Sequence, residues 1–106
     1  MKIKAIVKRP DEPVGHMTNI SNTLKNFQRI VDGPIETVKV ADDVVIICNE
    51  EGKLRGLPAN FVCGQDTIVG EVAVVGVDGD EFSDVPIDLT VWKWILKNWG
   101  NTVCPS

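Results

Sequence analysis

The sequence predicts an α+β fold: a mostly antiparallel, twisted sheet of about five to six strands with two amphipathic helices packed on it. Three observations lead there. The element order is strands, one helix, a run of strands and a last helix, not an alternation of strand and helix. Several short segments are rich in β-branched residues. Two stretches carry apolar residues at helical spacing, each opened by a capping residue and closed by glycine.

Taken in order, residues 2–8 (KIKAIVK) mix lysine with Ile3, Ala5, Ile6 and Val7 and read as a first strand. Lys2 and Lys4 fall on one face, where lysines commonly solvate a sheet edge. Arg9-Pro10-Asp11-Glu12-Pro13 is a turn, because two prolines forbid regular pairing. His16 to Ile20 returns as a short second strand. Ser21-Asn22-Thr23 offers side-chain acceptors to the first turn of a ten-residue helix. Leu24, Phe27, Ile30 and Val31 form its apolar stripe, and Asp32-Gly33-Pro34 stops it, with glycine expected in the left-handed position.

Ile35 to Val40 alternates as a half-buried strand does, and Asp42-Asp43 turns the chain. Val44-Val45-Ile46-Ile47-Cys48 is continuously apolar, the pattern of a strand covered on both faces. Asn49 to Lys53 reads as a hairpin loop with Gly52 at positive φ, Leu54 to Leu57 as its returning strand and Pro58 as the end of pairing. Gly64-Gln65-Asp66 is a turn. Thr67 to Val77 reads as one long strand in which Gly70 and Gly76 mark a bulge or a close approach to the backbone. Asp78-Gly79-Asp80 is a tight turn before a short edge strand, Phe82 to Val85. A helix from Leu89 to Trp99 follows, capped by Asp88 or Thr90 and stopped by Gly100; Trp92, Ile95, Leu96 and Trp99 share one face and Trp94 points elsewhere.

A chain of 106 residues is expected to form one domain over residues 1–100, with a flexible C-terminal tail at 101–106. Its composition, 43% hydrophobic and 25% charged, excludes disorder, collagen-like repeats and coiled coil. Eleven basic against fifteen acidic residues give a net charge of −4, and the basic residues are scattered, which argues against nucleic acid as a partner. No apolar run approaches a membrane span and no signal peptide opens the chain, so a cytoplasmic location with no membrane role is expected. Cys48, Cys63 and Cys104 are odd in number and lack CxxC spacing; reduced thiols are the expectation.

The stretch Asp43 to Asn60, DVVIICNEEGKLRGLPAN, resembles a family of small proteins of phages and mobile elements of Gram-positive bacteria, domain-of-unknown-function family 3846. Asn49-Glu50-Glu51-Gly52-Lys53-Leu54 followed by Gly56-Leu57-Pro58-Ala59-Asn60 carries most of the likeness. Asn22-Thr23-Leu24, Ile35-Glu36-Thr37-Val38, Thr67-Ile68-Val69-Gly70 and Val74-Val75-Gly76 extend it from about Met1 to Phe82. The tryptophan-rich C-terminal helix departs from the family's pattern. The resemblance implies a protein acting inside a bacterial host, with an anti-defence role as one possibility, and brings no activity with it.

His16 is the sole histidine and the only imidazole able to serve a cysteine as general base. Of the three thiols only Cys63 falls in a loop, Cys48 ending an apolar strand and Cys104 lying in the tail. Asp78, Asp80, Glu81 and Asp84 do not follow the calcium-loop order and read better as a turn. None of the nine glycines forms GxGxxG or GxxxxGK[ST]. No metal and no cofactor is therefore expected. The strongest binding candidates are Asn49, Glu50, Lys53, Arg55 and Asn60, where two asparagine amides can meet one ligand or else merely fix turns. Trp94, with Lys93 and Lys97 near, adds an exposed aromatic suited to a subunit contact.

The reading that follows is a non-enzymatic binding protein, a homo-oligomer that binds or sequesters a host protein or a small polar metabolite. One alternative is a small hydrolase or transferase using Cys63 or a carboxylate pair; another is a structural accessory domain.

Overall fold

The computed structural model describes residues 1–63 and 66–99, with the side chain of residue 99 excepted. The elements are β1 (Lys2–Lys8), β2 (His16–Ser21), α1 (Leu24–Val31), β3 (Ile35–Ala41), β4 (Val44–Asn49), β5 (Ala59–Cys63), β6 (Asp66–Val69), β7 (Val72–Asp78), β8 (Glu81–Ser83) and α2 (Leu89–Trp99). Among the described residues, six strands form one antiparallel sheet, ordered β2-β1-β7-β4-β3 with β8 beside β7. A separate antiparallel hairpin pairs β5 with β6. The class is α+β.

Alternation along the strands gives the sheet two apolar faces. Ile3, Ala5, Val7, Ile20, Ile47, Ala73 and Val75 face α1, which buries Phe27 and Val31 against them. On the reverse face Ile6, Val44, Ile46, Cys48, Val72 and Val74 meet Cys63 and Ile68 of the hairpin, Val85 of the segment between β8 and α2, and Trp92 of α2. The central strands β4 and β7 are covered on both sides, which is why they read as unbroken apolar runs. Edge-to-face ring pairs lock each layer: Phe27 with Phe82 at 5.2 Å, and Phe61 with Trp92 at 5.7 Å.

Helix α1 is capped at Thr23, whose hydroxyl accepts from the Asn26 amide at 3.2 Å. It is shorter than the ten residues expected, and Leu24, placed on its apolar stripe, is exposed because the helix meets the sheet only from Phe27 onward. Asp32, not Gly33, takes the left-handed position, at φ 62°. At α2 the Asp88 carboxylate accepts from the Val91 amide at 2.9 Å. Gly100, expected to stop this helix, lies outside the described residues, as do the Gly64-Gln65 turn and the 101–106 tail.

Three further expectations are corrected. Lys2 and Lys4 are not on an edge strand, since β1 lies between β2 and β7. The expected 67–77 strand is two strands, broken at Gly70, whose φ of +77° suits glycine and turns the chain from the hairpin back into the main sheet. The segment after Asn49 is not a hairpin: residues 50–56 are turns, Gly52 has no positive φ, and strand pairing starts after Pro58, between β5 and β6. Gly76 is a close-approach position, since a Cβ there would lie 2.2 Å from the Asp84 carbonyl oxygen.

Candidate functional site

The 49–60 segment runs from the end of β4 into β5, so its two asparagines sit at opposite ends of a coiled connection. Asn49 is buried, and its Nδ2 donates to the carbonyls of Val31 at 2.9 Å and Asp32 at 3.1 Å, the open end of α1. Its Oδ1 accepts from the Glu51 amide at 2.7 Å, starting the turn. Asn60 is the extra residue where the β5–β6 register shifts, and the bulge turns its side chain toward β1. There its Nδ2 donates to the Lys8 carbonyl at 3.0 Å and the Gly70 carbonyl at 2.7 Å, while its Oδ1 accepts from Lys8 Nζ. The structure thus sends the two amides to different backbone partners and does not bring them together.

Between them, Arg55 donates to the Asp32 carbonyl and pairs with the Asp32 carboxylate at 2.9 Å. Lys53 pairs with Asp66, and this contact, with the Thr67 amide, holds the Asp66 carboxyl below its ordinary range. Glu50 is exposed, its backbone amide bonded to the Pro34 carbonyl at 2.8 Å. Asn49, Glu50 and Lys53 line a cleft of about 130 Å³ with Glu36, Cys48 and Asp66. Small-molecule sites usually run from about 300 to 1,000 Å³, so this cleft suits an ion or waters better than a metabolite.

Cys48 forms the floor of that cleft, donating to the Glu36 carboxylate at 3.8 Å. Burial, reinforced by the Glu36 charge, pushes its thiol up to about 12, so it is neutral and a poor nucleophile near neutral pH. Cys63 is fully buried at the end of β5, not in the loop expected for it, because the hairpin packs it into the core with Ile68 and Trp92. Cys104 lies outside the described residues. His16 is exposed and bonds Glu12 Oε2 through Nδ1 at 3.0 Å. The Arg9 amide and then His16 keep the Glu12 carboxyl low. His16 is therefore tied to a carboxylate of its own turn.

Sequence reasoning missed Lys8 and Glu71. Lys8 is buried, and desolvation lowers its ammonium pKa against the pull of Glu12 and Asp11. Half-buried Glu71, with Arg9, Glu12 and His16 the nearest charges, has its carboxyl raised by burial. The alternating lysines of β1 hinted at Lys8, but nothing local showed that the hairpin covers that end of the strand.

The acidic residues 78–84 form the β7–β8 turn, and Asp84 accepts from the Lys4 amide at 2.7 Å. A shallow groove of about 400 Å³ opens beside it, where Met1, Leu24, Phe27 and Phe82 meet the carboxylates of Asp80 and Glu81. It contains none of the candidate residues. On the far side of the molecule's core, Trp94 stands 65% exposed on α2, with Val91, Lys93 and Lys97 also at the surface. No helix among the described residues is long and apolar enough to cross a membrane.

No curated protein and no solved structure matches the chain. A family model does, over residues 1–97, taking in the 49–60 segment and nearly all of α2. The chain belongs to the family described as Domain of unknown function (DUF3846).

Proposed function

We propose that this chain is a non-enzymatic binding protein, acting as a homo-oligomer in the bacterial cytoplasm on behalf of a phage or mobile element, and that its target is a host protein. The observation that carries the reading is Trp94. A tryptophan 65% exposed on a helix that buries Trp92 and half-buries Leu89, Ile95 and Leu96 keeps apolar area in water, and tryptophan is among the residues most enriched at the centres of protein interfaces. Lys93 and Lys97 flank it on a chain of net charge −4, which favours a partner with an acidic surface.

A host protein is favoured over a small polar metabolite because the amides of Asn49 and Asn60 are spent on backbone carbonyls. The cleft beside Asn49 is also small. A reactive role for Cys48 is disfavoured by its neutral thiol.

The test compares wild type with Trp94→Ala and Lys93→Glu/Lys97→Glu as baits in bacterial lysate, with melting temperature measured alongside. The same protein band should be retained by wild type and lost by both variants at unchanged stability. Retention of that band by both variants would reject the α2 surface, and a turnover activity abolished by Glu36→Gln or Cys48→Ser would reject the non-enzymatic reading.

A further inference from the structure

Among the described residues the main path of the sheet, β2-β1-β7-β4-β3, ends at β2 and β3, and these edges are built differently. Strand β3 carries the charged Glu36 and Lys39 and a register shift between Lys39 and Ala41, three features that discourage another strand from adding on. Strand β2, HMTNIS, has no proline, no bulge in its pairing and no Lys, Arg, Asp or Glu. Its open edge lacks every one of these guards.

The hydrogen-bond phase of β2 follows from its neighbours. The Asn22 amide donates to the Met1 carbonyl, so in the β1–β2 register the even residues of β2 point their backbone groups at β1. The odd ones, Met17, Asn19 and Ser21, point outward. The Ser21 carbonyl confirms this phase, since it accepts from Asn26 Nδ2 at 3.0 Å on the helix side. That contact also occupies the Ser21 end. Among the described residues, Met17 and Asn19 are left presenting their N–H and C=O along the edge.

We propose that two copies of this chain dimerise by antiparallel pairing of β2 with β2, about a two-fold axis at Thr18; this deepens the homo-oligomer reading above and rests on it. With the axis there, Met17 of each copy faces Asn19 of the other, and each such pair exchanges both its backbone hydrogen bonds. The two Thr18 side chains meet directly, a favourable cross-strand pair. β2 holds no Lys, Arg, Asp or Glu, and His16, paired with Glu12 at its start, would face Ile20 of the other copy, so the symmetric contact opposes no like charges. Within the sheet the nearest lysines are those of β1, and the two β1 strands lie three strand spacings apart, about 14 Å, beyond the screening length of about 8 Å at physiological salt. The same face of each sheet stays on the same side, so the two apolar layers continue across the axis.

Purified protein is measured by size-exclusion chromatography with light scattering over a concentration series. Wild type should show twice the chain mass. Asn19→Pro removes only an outward-pointing donor, a position where an edge strand tolerates proline; it should return the protein to single-chain mass with its melting temperature kept. Thr18→Cys places two cysteines opposite each other at about 4.5 Å between Cα atoms, within disulfide reach, and should give a covalent dimer under mild oxidation, whereas Thr37→Cys on β3 should not. A dimer that survives Asn19→Pro, or a Thr18→Cys protein that stays uncrosslinked, overturns the inference. Dissociation by Trp94→Ala in place of Asn19→Pro moves the interface to α2, overturning the β2 assignment while the homo-oligomer reading stands. A wild type at single-chain mass throughout removes both, and capture of the host protein is scored separately in either case.

Discussion

Lys8 and Asn60 hold each other by hydrogen bonds in opposite senses: Asn60 Nδ2 donates to the Lys8 carbonyl at 3.0 Å, and Lys8 Nζ donates to Asn60 Oδ1 and, at 3.4 Å, to the Asn60 carbonyl. The residues are 52 apart in sequence, and through them the β5–β6 hairpin is fastened across β1. A further bond, to the Gly70 carbonyl, ties the same amide to the break between β6 and β7. The Lys8 ammonium also stands 5.8 Å from the centre of the Phe61 ring, so the charge has an aromatic face as well as a polar partner.

Asn60→Ala should therefore destabilise more than a surface change. It takes from the Lys8 ammonium its side-chain acceptor, leaving it the 3.4 Å contact to the Asn60 carbonyl, and takes the amide donor from the Lys8 and Gly70 carbonyls, each lost bond costing about 1–3 kcal/mol where the group is buried. A fall in melting temperature of at least roughly 4–8 °C is expected for a domain of this size. Urea unfolding with an unchanged slope would assign the loss to the folded state. A variant melting within a degree of wild type would show that the clasp is not needed to hold the hairpin.

Asn49 makes a sharper test, because two of its bonds end on the carbonyls that finish α1. Asn49→Asp keeps the shape but turns an oxygen toward the Val31 and Asp32 carbonyls, and its charge sits at the negative end of the helix dipole. Asn49→Asp should be less stable than Asn49→Ala near neutral pH. The gap should narrow as the pH is lowered toward about 4, where a carboxyl begins to take up its proton. Parallel melts of the two variants at several pH values decide it.

Cys48 supplies the pH dependence at the other end of the scale. Its thiol is held neutral in the folded chain up to about 12, against 9.0 for an ordinary cysteine, by burial and by the Glu36 charge. Below 9.0 both folded and unfolded forms are protonated and this group adds no slope. Between 9.0 and about 12 only the unfolded chain gives up its proton, so stability falls as the pH rises through that window. Cys48→Ala should flatten that limb, and in the native protein Cys48 should resist maleimide at pH 8 until denaturant is added.

The secondary structure was legible wherever a local rule governs it. Thr23 and Asp88 cap their helices as side chains of that type do, the β-branched run 44–48 is covered on both faces, and Asp78-Gly79-Asp80 makes a hairpin turn. What escaped was set by distant chain. Asn49 and Asn60 stood out as unusual, yet apart from Glu51 and Gly70 their partners lie 17 to 52 residues away, and nothing within the 49–60 segment specifies those. Lys8 did not stand out because the cover over β1 comes from a hairpin about fifty residues on. Gly70 was recognised as an interruption, but a bulge within one strand and a turn between two sheets have the same local signature.

The tryptophans of α2 separate stability from recognition within two residues of chain. Trp92 is wholly buried, stacks edge-on against Phe61 and donates its indole N–H to the Val14 carbonyl at 2.9 Å, latching α2 to the β1–β2 connection. Trp92→Ala should cost about 3–5 kcal/mol, from the lost apolar burial and the cavity left behind. Trp94 is mostly in water, and Trp94→Ala should change stability by no more than about 0.5 kcal/mol in either direction. Urea titrations of the two variants measure the contrast directly. Acrylamide should quench the emission lost in Trp94→Phe far more strongly than that lost in Trp92→Phe. A Trp94→Ala protein as destabilised as Trp92→Ala would mean that this side chain helps build the core, and the surface assigned to partner recognition would have to be sought elsewhere on the molecule.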